Sequence, residues 1–251
     1  MLPNWLHIGA AKCASSWLWR VCIEHPEICV PTEHRPDQPD NVNFFTVHYH
    51  RGLDWYEKMY FDGYGGEPVV GEFSNSYYRY LPALDRIQKH LPNVKLSLMI
   101  RHPVERAFLN WAHLFLKQKP TGMDIRQGIG VPFEKVLTVH GHAWFLQWID
   151  PGNYAWHIKQ IWERFPRENV LITLQEDVKV NQVDFLQQFF GFLGVDTGFE
   201  ASLSGVDINP DPEDVWDYLE PSVRAELIEV YRPDVEALQE MLNRDLSHWQ
   251  V

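Results

Sequence analysis

The chain has little cysteine, a shortage of basic residues and no long apolar run. Its 251 residues hold three cysteines, Cys13, Cys22 and Cys29, an odd number at no metal-ligand spacing. That excludes a disulfide framework and a zinc site and leaves reduced thiols, as expected of a cytoplasmic protein. Lys and Arg number 22 against 34 Asp and Glu, a formal charge of -12 at pH 7. A general nucleic-acid surface needs the opposite sign, so no nucleic-acid partner is expected. A single anion pocket is not excluded, because its own few residues set its charge. No apolar run approaches the roughly 18 residues of a membrane span. No basic leader with an apolar core precedes Trp5, so neither a span nor a secretory signal is expected, and the location expected is cytoplasmic. Internal repeats and low-complexity tracts are absent too.

What the chain does have is apolar material in short pieces. Hydrophobic residues make up 45% and aromatics 14%, enough for a sizeable core, and the length suits one domain over residues 1–251. Near-continuous apolar runs at 5–9, 68–73, 94–101 and 169–175 read as buried strands. Helical patterns run between and beyond them, at 15–25, 53–60, 81–91, 103–117, 133–148, 154–165, 183–194 and 221–243. Such alternation predicts an α/β fold, a central parallel sheet flanked by helices. A Gly-rich loop is expected at 119–131, and the weakest order at 203–214, rich in Asp, Pro and Gly. The tryptophans of the helical patterns, Trp111, Trp144, Trp148, Trp156 and Trp162, are expected mostly in the core, as is Phe115.

The N-terminal stretch WLHIGAAKCASSWLWR makes a P-loop-like strand-turn-helix. In a parallel α/β sheet, ligands bind beyond the carboxyl ends of the strands, where this turn would lie. The first amides of a helix are free and its N-terminus carries partial positive charge, so an anion is favoured there. Gly9, Ala10, Ala11 and Ala14 keep side chains out of the way, Ser15 and Ser16 add hydroxyls, and Lys12 adds a full charge. A nucleoside triphosphate loop places its lysine directly before Ser or Thr after a second glycine. Here the lysine follows Gly9 by three residues and the second glycine is missing. No apolar strand ends in a lone acidic residue suited to Mg²⁺. A metal-independent anion loop is the reading, and a nucleotide kinase is disfavoured.

The residues HIGAAKCASSWLWRVCIEHPEICVP resemble the 5′-phosphosulfate loop of sulfotransferases that use 3′-phosphoadenosine 5′-phosphosulfate (PAPS). In the usual form of that loop, Gly-x-x-Lys-x-Gly-Thr-Thr-x-Leu, the last four named residues fall on Ala14, Ser15, Ser16 and Leu18 here. MIRHPVERAFLNW is similar to the family's 3′-phosphate motif, and NFFTVHYHRGLDWYEKMY, GEFSNSYY and YRPDVEALQEMLNRDLSHW resemble blocks of its bacterial and heparan-type branch. The likeness runs along nearly the whole chain, with 118–150 and 200–220 poorly matched.

The resemblance implies a PAPS-dependent transferase and gives residues their roles. Lys12 would neutralise charge at the oxygen bridging sulfate and 5′-phosphate. The amides of Ala14, Ser15, Ser16 and Trp17, with the two serine hydroxyls, would hold the 5′-phosphate. Arg101 would take the 3′-phosphate, while Arg106 braces its helix. Three positions depart from the family pattern. A 3′-phosphate serine falls on Leu109, with Asn110 beside it as a replacement donor; Phe73 stands where many relatives carry lysine; and the glutamate that serves heparan-type enzymes as general base is Asn41. An alcohol acceptor needs a base. Glu72, beside the cleft at a strand end, is the first candidate; His48 follows, with Asp40 and His50 near it in sequence. The acidic surface points to a small-molecule or lipid-like acceptor over a sulfated polysaccharide. The alternative is a nucleotide-binding protein on the same fold that has lost turnover. Oligomeric state is left open by the sequence.

Overall fold

The structure, a computed structural model, describes residues 1–32, 41–118, 149–202, 216, 219 and 221–250. The expected loop at 119–131, the helix at 133–148 and the stretch 203–214 lie outside the described residues. So do Asp40, Trp144, Trp148 and the side chains of Trp111 and Phe115. The strands are β1 (Trp5–Gly9), β2 (Ile28–Cys29), β3 (Val69–Phe73), β4 (Lys95–Ile100) and β5 (Val170–Leu174). The described helices are α1 (Ser15–Glu24), α2 (Leu53–Tyr60), α3 (Leu81–His90), α4 (Pro103–Gln118), α5 (Tyr154–Trp162), α6 (Gln175–Val180), α7 (Gln182–Leu193) and α8 (Pro221–Leu242). The chain forms two compact units, one of Met1–Ile100 and Gln160–Asn209, the other of Arg101–Lys159 and Pro210–Val251.

The first unit holds the sheet. Its order is β2-β3-β1-β4-β5, and every neighbouring pair is parallel, as expected. β1 and β3 are buried along their whole length, which is why their sequences are mostly apolar and do not alternate with exposed polar residues. Paired residues on parallel strands share a face, and successive residues alternate faces. Trp5 pairs with Gly71 and His7 with Phe73, so these four share one face; Leu6 and Glu72 share the other. On the first face the Trp5 ring meets Phe73 at 5.3 Å and Phe189 of α7 at 5.5 Å, both edge-on. Gly71 is what admits that indole: a Cβ there would stand 2.1 Å from it. On the second face Tyr56 of α2 reaches Glu72. Helices thus cover both faces.

β2 was not among the expected strands. Two residues show no periodicity, and only pairing with β3 makes a strand of them. The His25-Pro26 turn ahead of it is held by the buried His25. Glu27 N donates to its Nδ1 at 3.2 Å, which leaves Nε2 as the donor to the Asp196 carbonyl at 3.0 Å. Between β2 and α2, the NFFTVHYH stretch forms a wide π-helical turn, Phe44–His48, and then a tight 3₁₀ turn, Tyr49–Arg51.

The second unit is helical. α4 starts with Pro103 at its first position, where a missing N–H costs nothing. α8 packs against α4. Asp234 of α8 accepts from the Ala155 and Trp156 amides at 3.0 and 3.2 Å and so caps α5. Tyr231 donates to the Ile149 carbonyl at 2.7 Å and is hydrogen-bonded by the buried Arg106. Arg106 therefore braces the helices, as expected. Trp156 departs from the core expectation: it is 38% exposed. α5 turns that position outward.

Candidate active site

The turn after β1 has the geometry that an anion loop requires. Lys12 and Ala14 both take left-handed conformations, φ 68° and φ 64°. Left-handed residues of this kind gather successive amides on one side of the chain and make an anion-binding concavity. The first helical hydrogen bond of α1 runs from Leu18 N to Ala14 O, so the amides of Ser15, Ser16 and Trp17 stand before it. No side chain caps the helix at Ala14. Lys12 and Ser16 are half-buried, and Ser15 is 5% exposed. Trp17 is buried, its ring 6.0 Å from Phe185 of α7. The residues present fit a phosphate group: a small-residue turn, an uncapped helix end, two hydroxyls and a cation.

Gly9 lets this turn form against the strand beside it. It has φ 143°, and a Cβ there would lie 2.5 Å from the Tyr78 ring and 3.1 Å from the Asn75 carbonyl oxygen. The end of β3 therefore packs directly on the start of the loop. From that end Asn75 Nδ2 donates to Ser15 Oγ at 3.1 Å, and Asn75 N donates to Asn41 Oδ1 at 2.9 Å. Asn41, to which the resemblance assigns the base position, is engaged in holding Asn75.

Glu72 lies within β3 and has no exposed surface. Oε1 accepts from Tyr56 and Tyr77, each at 2.8 Å, and Oε2 accepts from Ser74 Oγ at 2.7 Å. Those hydroxyls are themselves tied to the neighbouring turn. Ser74 Oγ accepts from Asn43 N at 2.8 Å and Tyr77 OH accepts from Phe45 N at 3.0 Å. Burial pushes the Glu72 carboxyl up to about 7, and its three hydroxyl donors act the other way. This placement argues against the expectation that Glu72 is the general base beside a cleft. The carboxylate is enclosed, its lone pairs are engaged, and what it does is pin β3, α2 and the 43–49 turn together. His48 ends the Phe44–His48 turn, half-buried, with its ring 5.6 Å from Trp55. Phe73, where the resemblance leads one to expect lysine, is buried against Trp5 and His7.

In the second unit, Arg101 precedes α4 and is buried, its Nη2 2.6 Å from Glu105 Oε2. Next to it Val104 N donates to His102 Nδ1 at 3.2 Å, which puts the proton of the neutral ring on Nε2. Burial lowers the His102 pKa, and the nearby Arg224, His248 and Arg101 add to that, against Glu105. Leu109 is buried and Asn110 half-buried, so of the two only Asn110 has polar atoms near a surface.

A family model described as the sulfotransferase domain matches residues 3–207. The chain belongs to this family. The recognition of the family from the sequence is therefore borne out. The sulfotransferase domain is similar over its full length to a crystal structure of a sulfotransferase from Alicyclobacillus acidocaldarius, with 29% identity, all of both chains covered and a TM-score of 0.80. It shares its fold with mouse sulfotransferase SULT7A1, a structure complexed with PAP, at 15% identity, a TM-score of 0.52 and coverage of 92% and 83% of the two chains. Among curated proteins it is 26% identical over 216 residues to the bifunctional heparan sulfate N-deacetylase/N-sulfotransferase 3 of Mus musculus, 80% of this chain. The chain spans 23% of that relative's length.

Sequence reasoning located the sulfotransferase loop but missed Asn75 and the hydroxyl cluster of Ser74, Tyr56 and Tyr77. A signal existed in GEFSNSYY, where polar residues crowd the end of an apolar strand. What it lacked was the partner: Ser15 lies 60 residues away.

Proposed function

We propose that the protein moves the sulfuryl group of PAPS to a hydroxyl, with an amine as second choice, of a small-molecule or lipid-like acceptor, and needs no metal. The observation that carries this reading is the uncapped start of α1 beneath the left-handed Lys12 and Ala14, with Ser15 and Ser16 at its mouth. PAPS would supply an activated sulfuryl group on a phosphate leaving group. Lys12 holds positive charge where the bridging oxygen departs, a role that metal ions serve in nucleoside triphosphate enzymes. The amides of Ala14 to Trp17 and the serine hydroxyls hold the 5′-phosphate. The resemblance assigns Arg101 and Asn110 the 3′-phosphate. With Glu72 enclosed, His48 and His50 are the described candidates left for proton acceptance, His48 first, and a phenolic acceptor would ask least of either. The net charge of -12 disfavours a heavily sulfated polysaccharide acceptor.

Thermal unfolding with and without 3′-phosphoadenosine 5′-phosphate, in EDTA, tests the cofactor. A ligand at about 100 times its Kd stabilises by about 2.7 kcal/mol, a rise of roughly 5–10 °C for a chain of this size. Lys12→Ala should shrink that rise and lower turnover by roughly 10²–10³-fold. No rise in the wild type, with ATP and Mg²⁺ raising the melting temperature instead, would overturn the reading.

A second reading, nucleotide binding without turnover, draws on Asn41 standing at the base position and bonded to Asn75. Labelled sulfate appearing in product at a Lys12-dependent rate would exclude it.

A further inference from the structure

Ser15 is the first residue of α1, and its oxygen lies 3.1 Å from Asn75 Nδ2. An amide nitrogen only donates, so the Ser15 oxygen accepts this bond and keeps its own hydrogen for another partner. A hydroxyl that already accepts one hydrogen bond becomes a stronger donor for the next, because polarisation passes along the chain of bonds. Asn75 is itself fixed. Its backbone amide donates to Asn41 Oδ1, and the preceding Ser74 N continues the sheet by donating to the His7 carbonyl at 2.8 Å. The Asn75 carbonyl also stands against Gly9, where a Cβ would come within 3.1 Å of it. A rigid strand end thus aims one amide at the first hydroxyl of the loop.

We propose that Asn75 is a positioning residue for the 5′-phosphate of the bound nucleotide. It donates to Ser15 and leaves the Ser15 O–H to donate to the anion, while Asn41 holds Asn75 in place. The proposal rests on the nucleotide reading above. It gives the departure at position 41 a use: the side chain there secures the loop.

The test is a double-mutant cycle read by calorimetric affinity for two probes, 3′-phosphoadenosine 5′-phosphate and adenosine 3′-phosphate, which lacks the 5′ group. The proteins are wild type, Asn75→Ala, Asn75→Asp, Ser15→Ala and the double variant S15A/N75A. Asn75→Ala should weaken the 5′-phosphorylated probe about 5–10-fold with Ser15 present and less than about 2-fold in the S15A background. Asn75→Asp turns the donor into an acceptor, captures the Ser15 hydrogen and adds negative charge; a loss of about 10–100-fold is expected. Adenosine 3′-phosphate should change less than about 2-fold throughout. Asn75→Ser, with a smaller polar side chain, replaces any variant that fails to fold. Equal losses with and without Ser15, equal losses for both probes, or wild-type affinity in Asn75→Asp would overturn the proposal while leaving the nucleotide reading intact. A wild type that binds neither probe would overturn both.

Discussion

Buried ionisable residues set opposing pH slopes within the first unit. His7 is fully buried, its Nδ1 bonded to Ser97 Oγ at 3.0 Å, and burial lowers its pKa from 6.5 to about 3. The unfolded chain takes up that proton first, so stability is lost as pH falls from about 6.5 to 3. Glu72 acts in the other sense. Its carboxyl is raised from 4.5 to about 7, the folded chain keeps the proton longer, and stability is lost as pH rises through that window, by about 3 kcal/mol in all. From about 4.5 to 6.5 the two contributions offset each other. Denaturant unfolding of Glu72→Gln across this range should show stability rising with pH, with the His7 slope uncovered. Curves parallel to wild type would refute the assignment. Ala14 offers a second residue-scale test. It sits at φ 64°, which disfavours any side chain, so Ala14→Gly should raise unfolding stability by about 1 kcal/mol.

Single contacts decide where elements begin and how closely they pack. Asp234 caps α5 from α8. Asp234→Ala should cost about 1–2 kcal/mol, read from the denaturation midpoint, with the loss concentrated in the second unit. Gly71→Ala would drive a methyl into the Trp5 ring, at about 1–3 kcal/mol or more. Elements with a strong pattern were legible in the sequence: β1, β4, α1 and α4 lie within two residues of where the apolar runs and helical spacing put them. β2 was not, because two residues carry no period, and neither were the turns at 44–51, where aromatic packing overrides local preference. Phe44 stacks on Tyr56 at 4.1 Å, a contact no local rule contains. The phosphate loop was legible because its chemistry is contiguous. The Asn41–Asn75–Ser15 chain was not, because its members come from three separate segments.

At the scale of the whole molecule the proposed reading makes the excess of acid over base a barrier to anionic acceptors. The proposed preference for a small-molecule or lipid-like acceptor over a sulfated polysaccharide predicts a particular salt response at saturating nucleotide. From about 0.01 to 0.1 M salt the Debye length falls from about 30 to 10 Å. Initial rates with a sulfated polysaccharide should start low and rise over that range, while rates with a neutral phenol or alcohol stay nearly constant. A polysaccharide used faster at the lowest salt would count against the preference.

The order of residues by itself determined the class of fold, the strand-turn-helix of β1 and α1 and the family. Those depend on local apolar period and on residues adjacent in the chain. Through the resemblance it also marked Asn41, Phe73 and Leu109 as departures from the expected pattern. Only the tertiary structure decided what the changed and polar residues do. Glu72 reads as a candidate base along the chain, yet β3 buries it beneath three hydroxyls. Asn41 reads as a lost base, yet the fold gives it the Asn75 amide to hold. The physical reason is the same in both cases: a side chain's protonation and hydrogen bonding are set by its neighbours in space, whether near in the chain, as Ser74 and Tyr77 are to Glu72, or far, as Asn75 is from Asn41.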